Sequence, residues 1–225
     1  MASLGQGGQV VDVVLPALNE AAALPQVLRA FGDGYRAIVV DNGSTDGTAD
    51  VATDLGATVI AEPRPGYGSA VHTGIEHATS DIVVVMDADG TLDPSALPAL
   101  VRLVADGDAD MVMGRRCPTS ASAWPWHARW GNRFLAYQLN RSLGTSLVDI
   151  GPVRVFNRER YLALGIEDRR FGYPFETVIR AARAGWRIRE VDVAYHPRAA
   201  GTTSKVTGSA KGTYRAVRDF YRVLP

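Results

Sequence analysis

The chain has 225 residues, of which 46% are hydrophobic and 21% are charged, and its 24 basic residues balance its 24 acidic residues. At roughly 150 residues per domain, this length predicts one large domain, or one domain with an appendage. Cys117 is the only cysteine, which excludes an intramolecular disulfide and an all-cysteine metal site.

The net charge of zero conceals two halves of opposite charge. Residues 1–114 contain 4 basic and 16 acidic residues, a net charge of −12, and residues 115–225 contain 20 basic and 8 acidic residues, a net charge of +12. No Pro/Gly linker is long enough to separate two domains. The change of sign therefore predicts two sides of one cleft.

The sequence predicts neither a signal peptide nor a membrane-spanning helix. Residues 1–9 lack a cationic stretch followed by an apolar core. The most apolar segments, residues 10–18 and 82–86, are far shorter than the roughly 20 residues that a spanning helix needs. We therefore expect a soluble protein in the cytoplasm.

The first half alternates short β-branched runs with helical stretches, which is typical of a mainly parallel sheet covered on both faces. The predicted strands are residues 10–15, 37–40, 58–61, 82–86 and 111–113, and the predicted helices are residues 20–31, 48–55, 69–78 and 94–105. Thr45 or Asp46 is expected to cap the second helix and Asp93 the fourth. Since ligands bind beyond the carboxyl ends of such strands, this half predicts a nucleotide-binding architecture.

The second half is less regular. It predicts helices over residues 128–143 and 175–184, a strand over residues 153–156 and an edge strand over residues 188–193. A loop of Gly, Thr, Ser and Lys over residues 198–212 leads to a basic helix over residues 213–223, which carries aromatic residues on one side.

Residues 83–90, Val-Val-Val-Met-Asp-Ala-Asp-Gly, carry the most chemical information. A buried strand ends in Asp87 and Asp89, whose i and i+2 spacing projects both carboxylates to the same side. Two carboxylates so close repel each other unless a cation lies beside them. Oxygen ligands with room for water suit Mg²⁺ or Mn²⁺, which complete their coordination with substrate phosphates. The alternative is a loop in which Asp caps a turn.

Three further loops end at the same predicted edge of the sheet. After the second strand, Asp41 is well placed to accept a hydrogen bond from a nucleobase or a ribose hydroxyl, and a turn with a helix cap is the alternative. After the first strand, Glu20 adds another carboxylate. After the third strand, residues 64–70 open a helix whose N-terminus is expected to face an anion.

Other nucleotide and metal motifs are missing from the sequence. Gly66-x-Gly68 is followed by Val71 where a dinucleotide fingerprint has Gly or Ala, which disfavours a hydride-transfer enzyme. Neither lysine follows a glycine, so no P-loop is present. The four histidines are too scattered along the sequence to predict a zinc cluster.

Taken in order, these segments resemble the motifs of family 2 glycosyltransferases. The resemblance rests on residues 16–20, residues 41–48, Gly66-Tyr67-Gly68-Ser69-Ala70 and Asp87-Ala88-Asp89. Downstream, Gly114-Arg115-Arg116, residues 149–154, residues 172–176 and Ser204-Lys205 are similar to the dolichol-phosphate mannose synthase and polyprenyl-phosphate glycosyltransferase branch. The resemblance covers roughly residues 10–212.

The resemblance implies a single-domain α/β protein of the GT-A fold. The domain would span residues 10–208, with a nucleotide-sugar and metal half up to residue 114 and an acceptor half after it. A disordered N-terminus would precede it over residues 1–9, and an amphipathic basic helix would follow over residues 209–225. The implied reaction is inverting transfer of a hexose from a GDP-mannose or UDP-glucose type of donor to a polyprenyl or dolichyl phosphate, with Mg²⁺ or Mn²⁺ as the cofactor.

The resemblance also assigns site residues by position. The donor would be bound by Pro16, Ala17, Leu18, Glu20, Asp41, Asn42, Gly68, Asp87, Ala88 and Asp89, of which Asp87 and Asp89 would hold the metal. The acceptor phosphate would be bound by Arg116, Arg129, Arg133, Ser204 and Lys205. The expected catalytic residues are Asp89, Arg116, Glu176 and Lys205. The family often has Gln where Thr91 stands, so metal coordination is expected to rely more on water.

The expected reaction is an in-line displacement that leaves negative charge on a diphosphate, which a cation and Arg or Lys side chains stabilise. A hydroxyl acceptor needs a general base, whereas a phosphate oxygen is already anionic at pH 7. Beyond the metal pair, Glu176 is the one candidate base in the basic half. Its alternative role is to orient the sugar or an arginine.

Other functions stay open at this stage. The same donor chemistry can serve a soluble small-molecule acceptor, and a non-catalytic nucleotide-sugar binding module is an alternative of another class. We expect no nucleic-acid partner, because the acidic half would repel its backbone, and the oligomeric state is not predicted. The helix over residues 213–223 is a candidate for peripheral contact with the inner face of a membrane. Packing on the domain is its alternative.

Overall fold

Seven runs rich in β-branched residues pair into one sheet in the computed structural model, which describes residues 10–198. The strands are β1 (Val11–Ala17), β2 (Tyr35–Asp41), β3 (Thr58–Ala61), β4 (Ile82–Val85), β5 (Met111–Pro118), β6 (Val153–Asn157) and β7 (Ile188–Tyr195). The predicted N-terminal segment and C-terminal helix, together with Ser204 and Lys205, lie outside the described residues.

The strands lie in the order β3-β2-β1-β4-β6-β5-β7 across the sheet. Strand β6 pairs antiparallel with both β4 and β5, and the other neighbouring pairs are parallel. The mainly parallel sheet and the edge position of β7 are therefore confirmed. Because the six strands other than β6 run in one direction, their carboxyl ends meet at one edge, which we call the ligand edge.

The part of the chain that the structure describes contains seven α-helices. They are α1 (Leu24–Arg29), α2 (Thr48–Asp54), α3 (Tyr67–His77), α4 (Leu97–Ala105), α5 (Trp126–Leu143), α6 (Arg158–Leu162) and α7 (Tyr173–Arg183). A 3₁₀ turn, Pro94–Ala96, precedes α4. Asp93 caps this turn as predicted, since its side chain accepts the N–H of Ser95 at 2.8 Å.

The side chains of each strand alternate between two apolar cores, one on each face of the sheet. Val14, Ile38 and Val40 belong to the core that packs against α3, α5 and α7. Val13 and Leu15 belong to the core that packs against α1, α2 and α4. Burial on both faces explains why β4 is a continuous apolar run and why Asp12 alone interrupts the apolar sequence of β1.

The first predicted helix, residues 20–31, is shorter in the structure, where it is reduced to α1. The residues before α1 form a turn in which the N–H groups of Ala23 and Leu24 donate to the carbonyl of Glu20, at 3.0 and 3.1 Å. The N–H of Glu20 donates to the hydroxyl of Thr48 at 2.9 Å. This contact ties the turn to the first residue of α2, and it takes no hydrogen bond from a helix because the first N–H groups of a helix have no partner within it. A periodicity argument does not include such a contact between distant segments.

The second half has more regular structure than the sequence predicts. Strand β5 continues to Pro118 instead of ending at residue 113, because β7 pairs with it along its whole length. Helix α5 begins at Trp126, two residues earlier than predicted. The five-residue helix α6 was not predicted, and the side chain of Asn157 caps it by accepting the N–H of Arg160.

Two acidic residues at the edge opposite the ligand edge have structural partners. Asp12 is buried and accepts from Arg36 at 2.7 and 2.9 Å and from the N–H of Thr79 at 2.7 Å. Burial raises the pKa of Asp12, but these hydrogen bonds outweigh it and lower that pKa. Asp110 pairs with Arg187 at 3.1 Å. Part of the charge in each half is therefore used away from the ligand edge.

The contact between the start of β6 and strand β5 requires glycine. A Cβ atom on Gly151 would lie 1.9 Å from the carbonyl oxygen of Gly114. Because overpacking costs 1–3 kcal/mol, we expect Gly151→Ala to lower the free energy of unfolding by about 2 kcal/mol or more in urea denaturation. Gly131→Ala in α5 is the control, since an added Cβ meets nothing within 4 Å there. A gain of up to about 1 kcal/mol is expected for that helical position, and equal effects of the two substitutions would contradict the prediction.

Candidate active site

The loops after β1 and β2 are joined by side-chain hydrogen bonds at the ligand edge. Asn19, which has a φ of 52°, accepts the N–H of Thr45 at 2.8 Å, and its own N–H donates to the Ser44 hydroxyl at 2.8 Å. Asp46 accepts the N–H of Ala21 at 3.1 Å. The two loops therefore form one wall, and the predicted donor residues Pro16, Ala17, Leu18, Glu20, Asp41 and Asn42 lie on it or at its base.

Asp41 and Asn42 hold the loops of this wall in place. Asp41 accepts the N–H of Ser44 at 3.0 Å, which makes the predicted turn. Asn42 donates to the carbonyls of Glu62 and Arg64 at 2.9 and 2.8 Å, and its side-chain oxygen accepts the N–H of Gly66 at 2.8 Å. The amide of Asn42 thus fixes the loop after β3, which is a positioning role.

The expectation that the N-terminus of α3 faces an anion is wrong. The N–H groups of Gly68 and Ser69 donate to the backbone carbonyls of Arg170 and Arg169, at 3.2 and 2.9 Å. A Cβ on Gly68 would lie 2.7 Å from the Cβ of Tyr173. A neighbouring loop thus occupies the position that an anion would need, and Gly68 is small because that loop packs directly on it.

Asp87 and Asp89 follow β4 at the ligand edge, as the sequence predicts. One carboxylate oxygen of the buried Asp89 accepts the N–H of Thr91 at 3.0 Å and the hydroxyl of Thr91 at 2.6 Å. The other oxygen forms an ion pair with Arg198. Thr91 therefore fixes the orientation of Asp89, and the guanidinium of Arg198 supplies a positive charge beside it.

The electrostatics of the pair indicate a cation site. Burial and the negative charge of Asp89 raise the pKa of Asp87 to about 7, and the charges of Arg198 and Arg116 oppose the rise. Burial, together with the charge of Asp87, also raises the pKa of Tyr67. A full negative charge on both carboxylates therefore requires more positive charge than the arginines provide.

A divalent cation fits the donor set of this pair. Across residues 10–198, no group of three or more His, Cys, Asp or Glu side chains is arranged to hold a metal, so a cation here has two carboxylate ligands from the described chain. Mg²⁺ and Mn²⁺ accept such sites because water and substrate phosphates complete their coordination. Asp87 and Asp89 are the residues that would hold the ion.

Arg116, at the end of β5, is held rigidly by its neighbours. Its Nε and Nη2 donate to the two carboxylate oxygens of Asp149 at 3.0 and 2.7 Å, and its backbone N–H donates to Asp149 at 2.8 Å. Its guanidinium also lies 3.9 Å from the centre of the Trp124 ring. The pair is largely removed from solvent, since the side chains of Arg116 and Asp149 are 16% and 2% exposed.

A cleft of about 580 Å³, which we call the arginine cleft, opens beside Arg116. Its lining residues are Arg115, Arg116, Cys117, Pro118, Trp124, Trp126, Arg129, Trp130, Asn132, Arg133, Val148 and Asp149. The structure therefore brings together the three arginines assigned to the acceptor phosphate. Arg129 and Arg133 are exposed and form no ion pair with a carboxylate between residues 10 and 198.

Glu176 is not brought to this cleft. Its carboxylate accepts the backbone N–H groups of Glu167 and Asp168, at 3.0 and 2.6 Å, and the Nε of Arg180 at 2.5 Å. It lines a separate depression that also contains Ile179. These contacts support the loop that packs on Gly66 and Gly68, and a catalytic role for Glu176 stays a prediction.

Three residues of the site were missed by sequence reasoning. Arg198 was placed in a loop, yet its neighbour His196 donates its N–H to the carbonyl of Thr91 at 2.8 Å, which brings the end of β7 to the metal pair. Trp124 and Asn132 contact the guanidinium of Arg116. A longer β5 would have been the signal for the last two, because a strand that continues past residue 113 places Arg116, which they contact, at the ligand edge.

Comparison with known proteins identifies related sequences. Residues 12–164 match the sequence model described as glycosyl transferase family 2. The chain is 52% identical over 217 residues to an uncharacterized glycosyltransferase of Mycobacterium tuberculosis, with 96% of this chain and 99% of that protein covered. It is 33% identical over 198 residues to the low-salt glycan biosynthesis hexosyltransferase of Haloferax volcanii, with 84% of this chain and 48% of that protein covered.

Solved structures share the fold. Glucosyl-3-phosphoglycerate synthase of Mycobacterium tuberculosis, in complex with Mn²⁺, UDP and glucosyl-3-phosphoglycerate, has a TM-score of 0.74 and 24% identity, with 97% of this chain and 81% of that chain covered. The same enzyme in complex with Mg²⁺ and UDP has a TM-score of 0.73 and 24% identity, with 97% of this chain and 80% of that chain covered. The predicted GT-A fold is thereby confirmed.

We expect the buried ion pair of Arg116 with Asp149 to contribute more to stability than the exposed ion pair of Arg115 with Asp192. Asp149→Asn removes one partner of a buried pair, which costs about 3 kcal/mol or more of stability. We expect this loss in urea denaturation, together with a loss of transfer activity. Asp192→Asn is the matched control, because the side chains of Arg115 and Asp192 are 38% and 55% exposed, and it should leave stability nearly unchanged. Similar losses in both variants would contradict the assignment.

Arg198 is expected to compete with a metal ion for Asp89. At pH 8.5, where Asp87 is ionised, Arg198→Met should bind Mn²⁺ alone about tenfold more tightly, a change of about 1.4 kcal/mol, in isothermal titration calorimetry. At pH 6 the difference should shrink, because a pKa of about 7 leaves Asp87 largely protonated. Arg187→Met, which removes a partner of Asp110 at the opposite edge, is the control. Unchanged Mn²⁺ affinity in Arg198→Met at pH 8.5 would rule out the competition.

Proposed function

Because this chain belongs to glycosyl transferase family 2, we propose that it transfers a hexose from a nucleotide-diphospho-sugar to an acceptor that carries a phosphate. The observation that carries the proposal is the arginine cleft together with the carboxylate pair. Arg116 lines the cleft, and its charge is one of those that oppose the rise in the pKa of Asp87. A donor diphosphate held at Asp87 and Asp89 would therefore lie beside the acceptor group.

The proposed donor is a UDP-hexose with Mg²⁺ or Mn²⁺. Glucosyl-3-phosphoglycerate synthase is crystallised with Mn²⁺ and UDP-glucose, or with Mg²⁺ and UDP, and the carboxylate pair of this chain fits the same kind of cation. The wall formed by the loops after β1 and β2 would bind the nucleoside, with Asp41 accepting a hydrogen bond from the base or the ribose. The metal, when bound, stabilises negative charge on the diphosphate.

The side chains of the site have different roles in the proposed reaction. Asp87 and Asp89 would hold the cation, and Thr91 fixes the carboxylate of Asp89 in position for it. Arg198 brings a second positive charge close to the departing diphosphate. Because Asp149 already neutralises its charge, Arg116 would orient the bound group more than it would add net positive charge. Arg129 and Arg133 supply the uncompensated positive charge that attracts the acceptor.

The lining of the cleft favours an acceptor whose attacking oxygen is already ionised. Asp149 is the one carboxylate among the lining residues, and both of its oxygens are bound to Arg116. No free base is therefore at hand in the described cleft for a hydroxyl, whereas a phosphate oxygen needs none. An acceptor that attacks through a hydroxyl, while its phosphate only anchors it to the arginines, would need a base from outside the lining of this cleft. The separation of Glu176 from the cleft agrees with this choice of acceptor.

A soluble phosphorylated small molecule is the first candidate acceptor. The structural relatives are crystallised with phosphoglyceric acid or glucosyl-3-phosphoglycerate, which favours this alternative over the polyprenyl phosphate expected from sequence. Polyprenyl phosphate is the second candidate. It is favoured by Trp126 and Trp130, which line the cleft although 73% and 69% of their surfaces are exposed. No helix in residues 10–198 is long and apolar enough to cross a membrane.

Transfer assays with radiolabelled UDP-glucose and GDP-mannose test the proposal. Each donor is incubated with Mn²⁺ and with 3-phosphoglycerate, polyprenyl phosphate or glycerol. We expect one phosphorylated acceptor to be labelled, glycerol to stay unlabelled, and labelling to stop when EDTA removes the metal. Partition between water and organic solvent separates the soluble product from the lipid product. Labelling that persists in EDTA, or of glycerol alone, would overturn the proposal.

Kinetics of a double variant test the role of the cleft arginines. Arg129→Gln with Arg133→Gln should raise the KM for the phosphorylated acceptor at least about tenfold, as expected for loss of charge-assisted phosphate contacts. The KM for the donor should stay within twofold, because the donor is bound by the wall and the carboxylate pair. Arg29→Gln with Arg102→Gln is the matched control, since both residues are exposed on helices of the other face. An unchanged acceptor KM would place the acceptor elsewhere.

A further inference from the structure

Helix α5 presents a row of large aromatic side chains to solvent. Trp126, Trp130, Phe134 and Tyr137 are 73%, 69%, 53% and 56% exposed. Their spacing of four, four and three residues puts them on one side of the helix. Single exposed apolar residues are common on soluble proteins, but a contiguous aromatic row marks an interaction surface. We call these four residues the aromatic row.

The opposite side of α5 anchors the helix to the protein. Ala136 and Leu139 are buried in the core that also contains α3 and α7. The side chain of Asn140 ties the end of the helix to the following loop, because it donates to the carbonyl of Leu147 and accepts its N–H, both at 2.8 Å. The aromatic row is therefore the outer face of a fixed helix.

The charge of α5 identifies the kind of partner. Residues 126–143 contain no Asp or Glu, and Arg129, Arg133 and Arg141 are all exposed. None of the three pairs with a carboxylate between residues 10 and 198. Trp and Tyr favour the boundary between lipid headgroups and acyl chains, and arginines are attracted to anionic headgroups.

We propose that α5 docks, through its aromatic row and its exposed arginines, on the surface of an anionic lipid bilayer. The helix would lie in the plane of the interface, as basic amphipathic helices with aromatic residues do. The sequence placed membrane contact in the C-terminal helix, whereas this proposal places it in α5.

Two other occupants of this surface are disfavoured by charge. A second copy that paired α5 with itself would bring two clusters of arginines together. The 27 residues after Arg198 contain five basic residues and one acidic residue, so that segment would also place positive charge against positive charge. An anionic membrane supplies the opposite charge and the apolar layer at once.

The position of α5 connects this surface to the proposed reaction. Trp126, Arg129, Trp130 and Arg133 belong both to α5 and to the arginine cleft. A docked helix would therefore hold the mouth of the cleft at the level of the headgroup phosphates. Membrane docking is a property distinct from the proposed transfer, and the two are measured by separate experiments.

Vesicle binding tests the proposal. The protein is mixed with vesicles of phosphatidylcholine alone or with 30% phosphatidylglycerol, and binding is measured by co-sedimentation and by tryptophan emission. We expect binding to the anionic vesicles, a blue shift of the emission, and weaker binding at high salt. Trp186→Phe, which leaves the aromatic row intact, should bind normally and keep the blue shift.

Variants of the row locate the contact. Trp126→Ala with Trp130→Ala should weaken binding to anionic vesicles at least tenfold with an unchanged circular dichroism spectrum, and Arg29→Gln with Arg102→Gln should have no effect. Absence of binding to anionic vesicles, or binding that the double tryptophan variant does not alter, would overturn the proposal. A dimer that the same variant dissociates would also overturn it, in favour of a second copy. If the unsubstituted protein transferred to 3-phosphoglycerate but did not bind anionic vesicles, this inference alone would be refuted and the proposed function would stand.

Discussion

The repulsion between Asp87 and Asp89 is the constraint on which the ligand edge depends. Both follow a strand that is buried on its two faces; Asp89 is itself buried and Asp87 is only partly exposed. Positive charges surround the pair. Arg198 forms an ion pair with Asp89, and Arg116 and Arg154 act on Asp87 at longer range. Arg116 needs its own rigid support, which explains the buried Asp149 and the stacked Trp124. Arg116 thus belongs both to the arginine cleft and to the charges that act on the carboxylate pair.

Much of the fold and part of the site could be predicted from local sequence. Strand β4 is a continuous apolar run and β1 is apolar except for Asp12, and Asp87 with Asp89 stands where β4 ends, so these features follow from adjacent residues. The turn before α1 was not predicted, and its N–H contact from Glu20 to Thr48 joins distant segments that a local pattern does not contain. The same holds for Arg198, which reaches Asp89 only because β7 pairs with β5. Contacts between distant segments, not local propensity, determined what was missed.

Fewer of the opposite charges in the two halves lie at the candidate site than the sequence suggests. Asp12 and Asp110 use arginine partners at the edge far from the ligands, and Arg180 is used to support Glu176. The charges available to a ligand at the site are fewer. They are the carboxylate pair, which Arg198 compensates only in part, and Arg129 with Arg133, which form no ion pair with a carboxylate between residues 10 and 198.

The reversed direction of β6 has a consequence for how this site can change. The loop that enters β6, residues 144–152, comes to the ligand edge from the amino end of a strand, whereas the donor wall is built from the carboxyl ends of β1 and β2. Asp149 lies in this loop, and α5 precedes it in the connection from β5 to β6. Insertions or substitutions there can change this side of the site while the wall formed by the loops after β1 and β2 keeps its hydrogen bonds. With the proposed assignment of the two sides, one architecture would retain a single donor chemistry and acquire new acceptors.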